Sequence, residues 1–284
     1  MSKVWFITGC SKGFGWELTQ ELLKSTNDYV VATARNSDVL KASVEKYPDR
    51  LLALKLDVIK KSDIDLAVQE ALARFNRIDV LVNNAGYGLV GALEECSLEE
   101  IRIQFETNVF GLMGMTKAVL PTMRKQRSGH ILNISSVAGL VAGAGSGIYN
   151  STKFAVEGLS ESLAQDVANF GIKVTIIEPG PFRTDFAGQS IHIPTPHPDY
   201  MESRAMSIRE YMDSMHTRQP GDPIKAAKIM IQITELKDPP LRMPLGNIAL
   251  ERIFTKFENQ NAEFKKYESL ARSADYDPVE TNKQ

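Results

Sequence analysis

Cysteine is scarce. The 284-residue chain has two, Cys10 and Cys96, too few for a disulfide framework and with no CxxC spacing for a metal or redox pair. No eighteen consecutive residues are apolar, so no membrane-spanning helix is expected. Neither sign of charge dominates: the formal net charge is −2 and no basic tract occurs, which argues against nucleic acid as a partner. The four histidines, His130, His192, His197 and His216, lack metal-ligand spacing. His192 and His197 share a proline-rich stretch, where zinc is an alternative, but no metal is expected. The N-terminus enters an apolar run (VWFITG) at once, leaving no room for a signal peptide. These absences suggest a soluble, cytoplasmic protein. What remains is an ordinary apolar fraction of 43%, ample for a core.

Apolar runs alternate with amphipathic ones. Strands are expected at 3–8, 29–33, 51–56, 80–82, 131–134 and 173–177, with LRMPLG as a last one. Helices are expected at 17–24, 39–47 and 62–75, the last opened by a capping residue. A capping box (Ser97 to Glu100) opens a long helix toward Pro121, and another carries Tyr149 toward Phe170. Such alternation predicts a single α/β domain, a Rossmann-type doubly wound parallel sheet. From 186 to 221 the pattern weakens around Pro194, Pro196 and Pro198, and one short helix with Ile208, Tyr211, Met212 and Met215 is expected. This reads as an inserted substrate lid. Asp222 and Pro223 start a helix to about Leu236. A charged helix, Ile248 to Leu270, forms most of a C-terminal extension over 246–284, with a loose polar tail after Ser273.

Between Asn133 and Lys153 the chain places Ser136, Tyr149 and Lys153 within eighteen residues. Tyr149 and Lys153 are four apart, so on a helix they share a face. Bringing a phenol from its usual pKa near 10 toward 7 takes about 4 kcal/mol. One ammonium about 4 Å away at an effective dielectric near 20 supplies a term of that size. The pair is therefore a candidate acid–base group; the alternative is an ordinary surface pair.

Four further segments suit a dinucleotide. Gly9, Ser11, Lys12, Gly13, Phe14 and Gly15 form a glycine-rich turn between a strand and a helix, spaced GxxxGxG, where backbone N–H groups can meet a pyrophosphate. A plain tight turn is the alternative. The second strand ends in no acid, with Arg35 just past it; Arg35 and Lys12 suit a 2′-phosphate, so NADP (NADPH) is expected over NAD. A surface role for Arg35 is the other possibility, and Asp38 is assigned to a helix start. Asp57, with Val58 beside it, closes the third strand, where it can accept from an adenine amino group. Asn84, Ala85 and Gly86 follow the fourth, where small residues let a loop pack beside the cofactor.

These motifs together resemble the short-chain dehydrogenase/reductase family. TGxxxGxG spans Thr8 to Gly15, LDV Leu56 to Val58, NNAG Asn83 to Gly86 and NVFG Asn108 to Gly111. YxxxK and PGxxxT, Pro179 to Thr184, complete the set. By length and by LRMPLG the chain is similar to reductases near the 17β-hydroxysteroid dehydrogenases. The resemblance implies that Tyr149 donates a proton as hydride arrives from the nicotinamide, and that Lys153 lowers the tyrosine pKa and binds the ribose. It implies that Ser136, rather than Ser135, polarises the carbonyl and that Asn108 completes a proton relay through its backbone and a water. Thr184 and the backbone near Phe182 would hold the carboxamide, with Pro179 and Gly180 also at the cofactor. Pairing through the helices near 99–123 and 149–170 would give a homodimer; a monomer is the alternative.

Three segments, 87–93, 137–146 and 186–215, should wall the substrate. Leu89, Val90, Leu93, Val137, Leu140, Val141, Phe186, Met206, Tyr211 and Met215 make the walls apolar, which suits a hydrophobic ketone, aldehyde or secondary alcohol. The sequence thus reads as an NADPH-dependent carbonyl reductase. A cofactor-sensing or scaffold protein, an NAD-dependent dehydrogenase, a dehydratase and an epimerase are alternatives.

Overall fold

A computed structural model describes residues 2–276 apart from 189 and 216. His216 and the tail beyond 276 lie outside the described residues. In chain order the structure runs β1 (Val4–Ile7), α1 (Gly13–Ser25), β2 (Tyr29–Ala34), α2 (Lys41–Lys46), β3 (Leu51–Lys55), α3 (Lys61–Phe75) and β4 (Val80–Asn83). After these come β5 (Gly88–Leu89), α4 (Leu98–Phe105), α5 (Leu112–Gln126), β6 (Gly129–Ile134), α6 (Gly147–Val167) and β7 (Ile172–Pro179). The last elements are β8 (Ile191–His192), α7 (Arg204–Met215), α8 (Pro223–Ile233), β9 (Arg242–Leu245), α9 (Asn247–Lys266) and α10 (Glu268–Arg272).

Seven strands form one parallel sheet in the order β3-β2-β1-β4-β6-β7-β9. The order reverses between β1 and β4, as a Rossmann-type sheet requires, and the ends of these strands form a crevice there. Strand alternation explains the two layers of helices. In β1, Trp5 and Ile7 enter a core with Leu18, Leu22 and Met230 from α1 and α8. Val4 and Phe6 enter the opposite core with Ile64, Met115 and Val119 from α3 and α5.

The long helix differs from expectation. It passes through Pro121 and ends at Gln126, and between α4 and α5 it contains a π turn, Glu106–Gly111. Helix α3 has no side-chain cap; its N-cap residue is Lys60. Asp222 does cap α8, accepting from the backbone N–H groups of Ile224 and Lys225. Among the described residues no helix is long and apolar enough to cross a membrane.

Candidate active site

The turn after β1 explains its glycines. Gly9 (φ +73°) and Gly13 (φ +62°) adopt backbone conformations costly for other residues. A Cβ on Gly9 would come within 2.9 Å of Ala85 Cα, whereas one on Gly13 would meet only Thr184 Cβ at 3.8 Å. Gly9 is thus fixed by packing, and Gly13 leaves open space above the start of α1. That helix has no side-chain hydrogen bond at its N-cap, Lys12, so its first N–H groups suit a phosphate. Asn84 braces the turn: its Nδ2 donates to the carbonyls of Thr8 (2.8 Å) and Gly9 (3.0 Å). Gly15 does not face the opening; a Cβ there would lie 2.6 Å from Asn84 Nδ2 and from the Gly9 oxygen.

The cleft at the crevice measures about 1220 Å³. That exceeds the roughly 300–1,000 Å³ of an ordinary ligand pocket and accommodates a dinucleotide with a second molecule. Gly9, Ser11, Lys12, Gly13 and Phe14 line one end with Arg35, Asp57 and Val58; Asn84, Ala85 and Gly86 line its middle. Pro179, Gly180, Phe182 and Thr184 line the facing wall. Phe182 is held edge-on against Phe14 (5.2 Å between centroids). The uncapped helix, the open space at Gly13 and the exposed Arg35 guanidinium fit a nicotinamide dinucleotide. Asp38 lies in a short 3₁₀ turn, Ser37–Leu40, paired with Lys41 at 2.9 Å.

Ser136, Tyr149 and Lys153 converge on this cleft. Ser136 follows β6, its hydroxyl accepting from the Ala138 N–H (3.1 Å) and donating to the Pro179 carbonyl (3.4 Å). Lys153 is buried one turn along α6 from Tyr149; its Nζ donates to the Ile134 carbonyl (2.8 Å) and lies 5.7 Å from the Tyr149 ring centroid. Burial pushes the Tyr149 phenol up to about 12, against the Ser136 hydrogen bond, and pulls Lys153 down to about 8, against the Glu157 charge. In this structure the Lys153 ammonium turns to the Ile134 carbonyl, and burial sets the direction of the phenol's shift. Enclosure outweighs an ammonium that is itself poorly solvated and turned toward a carbonyl. As it stands, the site holds a neutral phenol, which can donate a proton.

Asn108 is buried in the π turn. Its Oδ1 accepts from the Tyr87 N–H (3.0 Å), and its Nδ2 donates to the Tyr87 carbonyl (2.9 Å) and Thr152 Oγ1 (3.1 Å). The side chain thus ties the loop after β4 to α6. A Cβ on Gly86 would lie 3.0 Å from Asn108 Oδ1 and 3.9 Å from Lys153 Nζ, so this glycine lets the loop close over both.

The substrate walls are corrected in part. Val137, Phe186, Tyr211 and Met215 line the cleft, as do Val90 and Val141. Leu89 instead packs with Cys96 and Ile148, because neighbouring residues of an extended segment point oppositely and Val90 takes the cleft side. Leu93 sits on a 3₁₀ turn, 70% exposed, and Leu140 packs against Val137, Ala249 and Ile253. Met206 lies off the cleft. Residues not anticipated there include Gln219 and Arg252, the latter from α9; no periodic signal marks either. Cys10 is fully buried and its thiol is pushed up to about 12 by that burial.

The family model described as short chain dehydrogenase matches residues 3–192. A curated relative, oxidoreductase BOA17 of Botryotinia fuckeliana, is 38% identical over 95% of this chain and 98% of its own. Retinol dehydrogenase 8 of Bos taurus is 36% identical over 83% of this chain and 79% of its own. The crystal structure of a short-chain dehydrogenase from Streptomyces avermitilis superposes with a TM-score of 0.91 at 41% identity, covering 97% of this chain and all of that one.

Proposed function

The chain belongs to the short-chain dehydrogenase/reductase family, and from that premise we propose that it is an NADPH-dependent carbonyl reductase for hydrophobic ketones or aldehydes, running in reverse on the alcohols. The carrying observation is the convergence of Ser136, Tyr149 and Lys153 on a cleft whose other half fits a dinucleotide. Hydride for the carbonyl carbon comes from the bound reduced nicotinamide. Ser136 donates a hydrogen bond to the carbonyl oxygen and fixes its position. Tyr149, neutral in its enclosed setting, gives its proton to that oxygen as negative charge builds there. Lys153 stabilises the phenolate left behind, and the Asn108 backbone starts a path for the returning proton.

NADP over NAD is supported by Arg35 lining the cleft beyond β2, with no acid at that strand's tip. The apolar walls support a hydrophobic substrate, and retinol, in the name of one relative, is such an alcohol. Segment 186–221 serves as lid: Phe186 packs against Tyr149 with ring centroids 5.4 Å apart, and α7 brings Tyr211 and Met215 to the cleft wall. Exposed Ile103, Phe110 and Phe154, on the helices assigned to pairing, support a homodimer. NADPH consumption against a panel of apolar ketones and aldehydes, repeated with NADH, is the test. Turnover preferring NADPH is expected; none with either cofactor would favour a sensing or scaffold role.

A further inference from the structure

Below Lys153 the same face of α6 continues with Glu157 and Glu161, so four polar side chains follow one another at intervals of four residues from Tyr149. Charged groups rarely occupy a helix face so deeply. Glu157 is 4% exposed, and Glu178 of the adjacent β7 is wholly buried. One cation serves both: Arg242 of β9, whose Nε is 3.3 Å from Glu157 Oε2 and 3.6 Å from Glu178 Oε1. The arginine is spread further, since its Nη2 is 2.7 Å from Glu161 Oε2. The wall opposite is close: a Cβ on Gly139 would lie 2.6 Å from Ser135 Oγ and 3.1 Å from Glu157 Oε1. The groups facing Glu157 are therefore Lys153 and Glu161 from α6, Glu178 from β7 and Arg242 from β9. The segment Ser135 to Gly139 contributes only hydroxyls, apolar side chains and backbone.

Two full negative charges beside a shared arginine are costly in such an enclosed place, which favours one proton on the pair. Burial pushes both upward, and the charge of Glu157 pushes Glu178 further. Glu157 lies one helical turn from Lys153, whose ammonium burial disfavours and the Glu157 charge favours. We propose that Glu157 is a positioning residue that keeps the Lys153 ammonium charged beneath Tyr149, and that Glu178 with Arg242 sets how much negative charge Glu157 carries. The inference rests on the Tyr149–Lys153 reading above, but its test does not require turnover.

Lysine labelled with ¹³C at Cε is titrated by NMR in protein without cofactor, the Lys153 signal being assigned by its loss in Lys153→Met. A wild-type midpoint near 8 is expected. Glu157→Gln should lower it by about one pH unit or more, and Glu157→Asp should restore part of the difference. Glu178→Gln should move it the other way, because Glu157 is then relieved of its carboxyl neighbour and carries its charge more readily. A general loosening of the core would not move the two glutamine variants in opposite directions. An unchanged midpoint in Glu157→Gln, or a common direction in both, overturns the proposal. If Glu157→Gln does not fold, the sign of the Glu178→Gln shift decides alone. Expected shifts in a protein that reduces nothing would overturn the function and leave this coupling standing.

Discussion

The two sides of the cleft are made of different material. The side beneath β1, β2 and β4 is made largely of backbone: positive-φ glycines, uncapped helical N–H groups and an Asn84 amide spanning two carbonyls. The side formed by segment 186–221 is fastened largely by side chains. Glu95 accepts from Arg209 at 2.6 Å with both nearly fully buried, and Glu95 also accepts from the His197 N–H at 2.9 Å. Tyr200 donates to Glu94 at 3.0 Å, and His192 meets Glu100 at 2.5 Å. A wall made of peptide groups presents the same chemistry whatever its neighbouring side chains, which suits a ligand that is always the same. A wall fastened by ion pairs can be rebuilt by substitution without disturbing the sheet, which suits a substrate that differs between relatives.

Substitutions can separate the two sides, and Tyr149 stands where they meet. Tyr149→Phe should lower kcat by about 10³-fold or more, the scale of a lost general acid, while NADPH binding followed by fluorescence stays near wild type. Retained turnover would contradict the assignment. Glu95→Ala leaves Arg209 buried without its carboxylate, a change that costs about 3–5 kcal/mol, seen as a lower Tm. Its kinetic effect should fall on KM for the carbonyl and spare KM for NADPH. Arg35→Ala should do the reverse, raising KM for NADPH roughly ten- to hundredfold, the worth of about 1.5–3 kcal/mol of charge-assisted bonding, and barely altering KM for NADH. Equal effects on both cofactors would remove the 2′-phosphate reading.

The smallest effect is one of pH. Hydrogen bonds from Ser97 and His192 hold Glu100 down to about 2, below its ordinary 4.5. A carboxyl depressed on folding adds stability that is complete above pH 4.5 and lost as pH falls toward 2. In Glu100→Gln that part of the acid dependence of Tm should vanish, with stability near neutral pH slightly reduced. An unchanged acid profile would show that His192 and Glu100 do not fasten β8.

Which features were legible in the sequence follows the same division. The strands of the sheet are legible because apolar β-branched runs and glycine turns are local signals, and the meeting of Ser136, Tyr149 and Lys153 at the cleft is legible because their spacing lies within one helix and the loop before it. The continuation through Pro121 is not: proline is a strong stop signal, whereas the packing of Met115, Val119 and Met123 in the core, which favours the helix on both sides of it, leaves no local mark. Leu89, Leu93 and Leu140 were misplaced because composition marks a wall as apolar without saying which way each side chain turns. Glu95 with Arg209, and Glu157 with Glu178 and Arg242, pair across long stretches of chain, where no period or motif announces them.

The position of β9 in the sheet has a consequence for how the protein is made. Until residues 242–245 leave the ribosome, β7 is the open border of the sheet, and Glu178 and Pro179 face no partner strand. The nascent chain therefore carries nearly every component of the cleft before the strand that frames its last wall exists. Premature termination between Pro179 and Arg242 would leave β7 as an exposed β edge, a template for aggregation.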